Sequence, residues 1–164
     1  MGLDMYLEAR KYVSKIDGKA TTDYENPVLT EEYKKVSAFF PDYAGDDTGF
    51  AGAEVSMNIG YWRKANQIHQ WFVDNAGDGE DDCKPCYVSA DKLRELRATT
   101  EHLLDNRTDS EAQKLLAPAS GFFFGSTEID EWYWADLERT VKILDKAIRL
   151  AEDEDCSIYY QASW

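Results

Sequence analysis

The segment from residue 128 to 151 leaves the least freedom to any fold. Ile129, Trp132, Tyr133, Leu137, Val141, Leu144, Ile148 and Ala151 recur there at three- and four-residue steps, the spacing that lines one face of an α-helix with apolar side chains. Glu128, Asp130 and Glu131 suit the positive end of its dipole. Ser126 or Thr127, following Gly125, supplies a cap. Glu138 with Lys142 and Asp145 with Arg149 fall four residues apart, as outward ion pairs do.

Shorter patterns fill the rest. Leu3, Met5, Leu7 and Ala9 alternate with Asp4, Tyr6, Glu8 and Arg10, which predicts a half-buried opening strand that turns at Asp17-Gly18. Thr30 caps a helix from Glu31 to about Phe39, ended by Pro41. The glycine- and aspartate-rich stretch 42–52 reads as a loop. Val55, Met57 and Ile59 resume the alternation of a strand, Gly60 breaks it, and Tyr61, Ala65, Ile68 and Phe72 mark the buried face of a helix. Asp74 to Asp82 is an acidic loop and Cys86 to Val88 a short strand. Ser89 caps a helix to about Asp105, with Val88 and Leu93 as its staple. Ser110 starts a shorter helix, Phe122-Phe123-Phe124 reads as a buried strand, and Ser157 to Gln161 adds a final edge strand. About four helices and four or five short strands, without regular alternation, indicate an α+β fold whose helices pack on a short mixed or antiparallel sheet.

The length of 164 residues, with 43% apolar, predicts a single acidic globular domain spanning 1–164. Eighteen basic against thirty-two acidic side chains leave a net charge of -14, which argues against direct nucleic-acid binding. No apolar run approaches the roughly twenty residues that span a bilayer, and the N-terminus lacks an export signal, so a cytoplasmic location with no membrane association is expected. Cys83, Cys86 and Cys156 are then reduced thiols.

Against this acidity, the nineteen residues from Val55 to Val73 contain no carboxylate. They hold Tyr61, Trp62, Arg63, Lys64, Asn66, His69 and Trp71. Negative groups repel an anion, so their absence beside aromatic and basic residues predicts a concave site for an anionic or planar ligand, formed by Tyr61, Trp62, Arg63, Lys64, Asn66 and His69. Each has a plainer reading as well: His69 as a packed helical residue, and Arg63 and Lys64 as solvated or paired side chains. Cys83 and Cys86, two residues apart, form a weak metal alternative, since a zinc site needs four ligands and few remain. Asp81 and Asp82 beside them would raise a thiol pKa, which disfavours redox chemistry. The loop 74–82 lacks the bidentate glutamate of a calcium loop, with Pro85 at that position. No hydrolase elbow, phosphate loop or metalloprotease histidine pair is present, and no cofactor is implied.

Three blocks carry a resemblance: Met1-Gly2-Leu3-Asp4-Met5-Tyr6-Leu7; Gly60-Tyr61-Trp62-Arg63-Lys64-Ala65-Asn66 with Ile68-His69 and Trp71-Phe72; and Gly121-Phe122-Phe123-Phe124-Gly125-Ser126-Thr127-Glu128 with Glu131-Trp132-Tyr133. Together they resemble a family of small uncharacterised proteins carried by bacteriophages and bacterial genomes. The resemblance implies a phage-type accessory binding protein, a counter-defence factor or host-factor inhibitor acting in the host cytoplasm, but no catalytic residues. Its partner is expected to be a host protein or a small anionic, nucleotide-like ligand. The acidic clusters 78–82, 128–138 and 152–155 are an alternative binding surface, imitating a nucleic-acid backbone before a basic protein. The competing expectation is a small enzyme acting on a nucleotide or phosphorylated substrate, with His69 as acid or base and Arg63 and Lys64 stabilising charge.

Overall fold

Alternation of side chains builds the first strand. In β1 (Asp4–Ser14) Met5, Leu7 and Ala9 are buried while Asp4, Tyr6 and Glu8 stay partly open. The computed structural model describes residues 2–23, 25–41 and 51–164. They divide into two compact units, Met1–Ala9 with Met57–Trp164, and Arg10–Ser56. Among the described residues there are five helices and a four-stranded antiparallel sheet, an α+β fold with its long helix near the C-terminus.

The smaller unit holds the end of β1, helix α1 (Glu31–Ser37) and the start of strand β2 (Gly52–Arg63). Asp17 closes the expected turn, its carboxylate accepting the Lys19 and Ala20 amides. Thr30 caps α1 by accepting the Tyr33 amide. Most of the loop expected over 42–52 lies outside the described residues.

In the larger unit, β2 runs on through Gly60 to Arg63 instead of breaking there, so helix α2 (Asn66–Asn75) begins five residues later than the apolar spacing predicts. Gly60 and Trp62 face the core, whereas Met57 points outward and is 67% exposed. Val55 and Met57 therefore lie exposed on a real strand, while Ile59 of the same alternation packs partly against the core. Gly60 is there for space: a Cβ would lie 2.4 Å from Ile143 and 3.2 Å from Leu7. Ile143 belongs to α5 (Glu131–Asp153), so a side chain of the long helix rests against the strand backbone at Gly60.

Strand β3 (Cys86–Val88) pairs antiparallel with β4 (Ser157–Ser163), placing Cys86 opposite Tyr160 and Val88 opposite Ile158. The sheet order is β2-β1-β4-β3, which makes the last strand interior, not an edge. Phe122-Phe123-Phe124 is a turn, with Phe122 95% exposed, and the Phe123 carbonyl accepts the Leu3 amide.

Helix α3 (Ala90–Asn106), capped by Ser89, packs antiparallel on α5, and α4 (Asp109–Leu115), capped by Thr108, follows. Arginines of this region reach across to α5: Arg94 to Glu152, Arg97 to Asp145 and Arg107 to Glu138. Glu138 and Asp145 thus pair between helices, not with Lys142 and Arg149 along their own. The buried face of α5 is Tyr133, Leu137, Thr140, Ile143, Leu144 and Ala147. Trp132, expected in that stripe, is 71% exposed. The cap is Asp130, which accepts the Trp132 and Tyr133 amides, while Ser126 closes a turn by accepting the Glu128 amide. No helix among the described residues is long and apolar enough to cross a membrane.

Candidate functional site

Consecutive strand residues point to opposite faces. The structure accordingly distributes the carboxylate-free tract instead of gathering it. Tyr61 lies on the open face, where its hydroxyl donates to Asp4 and its ring tilts against Tyr6. Trp62 is fully buried, with its indole N–H on the Thr140 hydroxyl at 2.9 Å and its ring against Phe72, so no ring face is open for stacking. Arg63 and Lys64 reach the surface. Asn66 is 2% exposed and wholly engaged: its amide donates to the Phe124 and Ser126 carbonyls at 3.0 and 2.9 Å and accepts the Ala119 amide at 2.9 Å.

His69 belongs to different surroundings. It is 1% exposed, with Nδ1 2.7 Å from the Tyr160 hydroxyl and Nε2 3.1 Å from Asp81. A carboxylate only accepts, so Nε2 carries the proton and Nδ1 accepts from Tyr160. Burial holds that hydroxyl protonated well above its ordinary range, which suits the same arrangement. The ring ties α2, β4 and the acidic loop together, and it borders a small hollow of about 100 Å³ with Asp81, Cys83 and Cys86. Burial pushes the Cys86 thiol up, away from reactivity. Among the described residues no group of three or more histidines, cysteines or carboxylates is placed to hold a metal.

A larger hollow, of about 290 Å³, opens at the β2–α2 junction. Arg63, Lys64 and Gln67 line it from one side in sequence, and from the other Glu128, just before α5, with Trp132 and Asp136 of its first turns. Lys64 takes φ +62°, a left-handed conformation uncommon outside glycine, and its amide donates to the Leu3 carbonyl at 2.8 Å. Two glycines leave room for its stem. A Cβ on Gly125 would sit 3.2 Å from Lys64 Cβ, and one on Gly2 3.3 Å from its Cε. Strain of this kind persists where surrounding structure enforces it, and it is concentrated at functional positions.

Gln67 is 4% exposed, and its Nε2 is enclosed without a hydrogen-bond partner. It also borders a neighbouring hollow beside Trp71 and Leu115. A half-turn about its last torsion, a broad two-fold coordinate, exchanges the nitrogen and oxygen ends of the amide. Across from it, burial pushes the Asp136 carboxyl up to about 6, Arg139 opposing the rise and Asp130 adding to it. Arg63 has a loose partner in Asp4, 3.9 Å away.

Asp136 makes a pH prediction. Its folded pKa of about 6 lies above the ordinary value of 3.8, so the folded state binds the extra proton between the two, and stability falls as pH rises from about 4 to 6. Asp136→Asn should remove that part of the decline. Urea denaturation of both proteins across this range checks it, and parallel pH profiles would refute it.

Gln67 and Asp136 were not among the residues picked out by sequence, and Trp132 was expected in the buried stripe of the last helix and not at a site. The legible signals were a glutamine on the apolar side of α2 and a carboxylate set between Tyr133 and Thr140 on the buried side of α5. No protein-family model matches the chain, and no curated protein or solved structure does either. Fold and site together define an α+β protein with a mixed-charge hollow where its second strand passes into a helix.

Proposed function

We propose that the chain is a non-enzymatic binding protein, of the phage accessory type its sequence resembles, which takes a small organic ligand with an anionic group into the hollow at Arg63, Lys64 and Gln67. The observation that carries this reading is Lys64, held in a left-handed conformation with its stem fitted against Gly2 and Gly125. A cation positioned before binding loses less freedom when the ligand arrives. Gln67 lines the same hollow with a side-chain amide whose nitrogen lacks a hydrogen-bond partner, a group that a polar ligand could satisfy after the amide turns.

The enzymatic alternative draws no support from the geometry. His69 has both ring nitrogens engaged and borders a different hollow from Arg63 and Lys64. Imitation of a nucleic-acid backbone is weakened too, because Glu138, Glu152 and Asp82 are partnered by Arg107, Arg94 and Lys84.

The test is thermal denaturation with a panel of small carboxylates, α-amino acids and adenosine monophosphate, followed by calorimetry on any stabiliser. Arg63→Ala and Lys64→Ala should each weaken the bound probe about tenfold, near 1.4 kcal/mol. Gln67→Met should weaken it as well while stabilising the free protein by about 1 kcal/mol, since an apolar side chain of similar shape removes the orphaned amide. A chain that none of these compounds stabilises would end the reading.

A further inference from the structure

The lining of the hollow narrows the ligand further, on the footing that the anion-binding reading holds. We infer that the ligand is a small amphoteric molecule, an α-amino acid with a planar or apolar side chain, bound with its carboxylate at Arg63 and Lys64, its ammonium toward Asp136 and Glu128, and its side chain along Trp132.

Three observations lead there. The first is charge. Two cations share the hollow with Glu128, Asp130 and Asp136. Asp130 is occupied in capping α5, and Arg63 is loosely held by Asp4. A polyphosphate would meet these carboxylates at close range in a partly desolvated place, where like charges repel strongly. A dipolar ligand answers both signs.

The second is size. At about 290 Å³ the space stands at the lower end of ligand pockets, which run from roughly 300 to 1,000 Å³. That suits a single amino acid better than a nucleotide.

The third is the chemistry of Asp136. It accepts no hydrogen bond from another described side chain and is partly desolvated; Arg139 on its helix and Asp130 at the helix cap act on it, and Glu128, Arg63 and Lys64 share the lining of its hollow. An ammonium beside it would favour its charged form. Affinity should therefore rise as pH increases from 5 to 7. An anion lacking the ammonium would show no such rise, because ionising Asp136 could only oppose it. Trp132, exposed at the start of α5, offers an unburied aromatic face of the kind that packs against a ring or apolar side chain.

Calorimetry on the full chain with L-phenylalanine, 3-phenylpropionate and 2-phenylethylamine separates the possibilities, after a panel of standard α-amino acids has shown which of them binds best. If another amino acid binds better, its own deaminated and decarboxylated analogues replace these. The amino acid should bind at least tenfold tighter than either analogue. Asp136→Asn should reduce its advantage over the deaminated acid to threefold or less, while Arg63→Ala weakens both acids. Equal binding of the amino acid and its deaminated acid, both lost in Arg63→Ala, would overturn the amphoteric ligand and leave the anion site standing. Binding of adenosine monophosphate or a simple carboxylate without any amino acid would do the same. Silence of every probe overturns both.

Discussion

Replacing Trp62 by alanine should cost about 3–5 kcal/mol of folding stability, the range for truncating a large buried aromatic side chain. The ring is completely enclosed, packs on Phe72 and gives its indole proton to Thr140. Its loss leaves a cavity under α5 and removes the hydrogen bond that joins β2 to that helix. Small domains have only about 5–15 kcal/mol in total, so the alanine variant stands close to unfolding. Trp62→Phe keeps most of the ring and should cost about 1–2 kcal/mol, which gives a folded variant to measure. Urea denaturation of both decides the matter. If Trp62 were a stacking platform for a ligand, the alanine variant would keep its midpoint and lose only binding.

That contrast shows why the fold was more legible than the site. Alternation in β1 and the spacing along α5 report burial directly, because Leu3, Met5 and Leu7 on one side and Tyr133, Leu137 and Leu144 on the other bury their side chains where the period puts them. The caps Thr30 and Ser89 were equally visible, since each offers a side-chain oxygen to an amide just inside its helix. The passage from β2 to α2 was not. Tyr61 and Ala65 fit the period of a helix, yet the strand persists to Arg63 and the chain turns only at Lys64, on a positive φ that no pattern of apolar residues announces. Shifting the helix start changes which side chains meet. Trp62 goes into the core, His69 faces Tyr160 and Asp81, and Arg63, which shares Asp4 with the Tyr61 hydroxyl, lies with Lys64 beside the beginning of α5. The missing carboxylates between Val55 and Val73 thus mark a tract that opens exposed over 55–58 and is largely interior from Ala65 on, with two exposed cations midway.

The second large effect is expected at Asn66. Its side chain does for the hollow what a strand pairing would do elsewhere: it fastens the turn carrying Phe124, Gly125 and Ser126, together with Ala119, to the first residue of α2. Asn66→Ala leaves two carbonyls and one amide without their partner. Each such group costs about 1–3 kcal/mol where water does not reach it, and part of that is recovered as the turn relaxes outward, so a net loss of about 3 kcal/mol is expected. Asn66→Asp should be no better. A carboxylate could still accept the Ala119 amide, but it has no proton to give the two carbonyls and would face them with like partial charge. The consequence for function follows from Gly125, whose backbone lies against the stem of Lys64. Freeing that turn releases the lysine from its enforced conformation, so any ligand held by Lys64 should weaken along with the fold. Denaturation midpoints and ligand titrations on Asn66→Ala, Asn66→Asp and the parent protein check both halves. A variant that loses stability and keeps its affinity would show that Lys64 is positioned by β2 alone, without help from the turn.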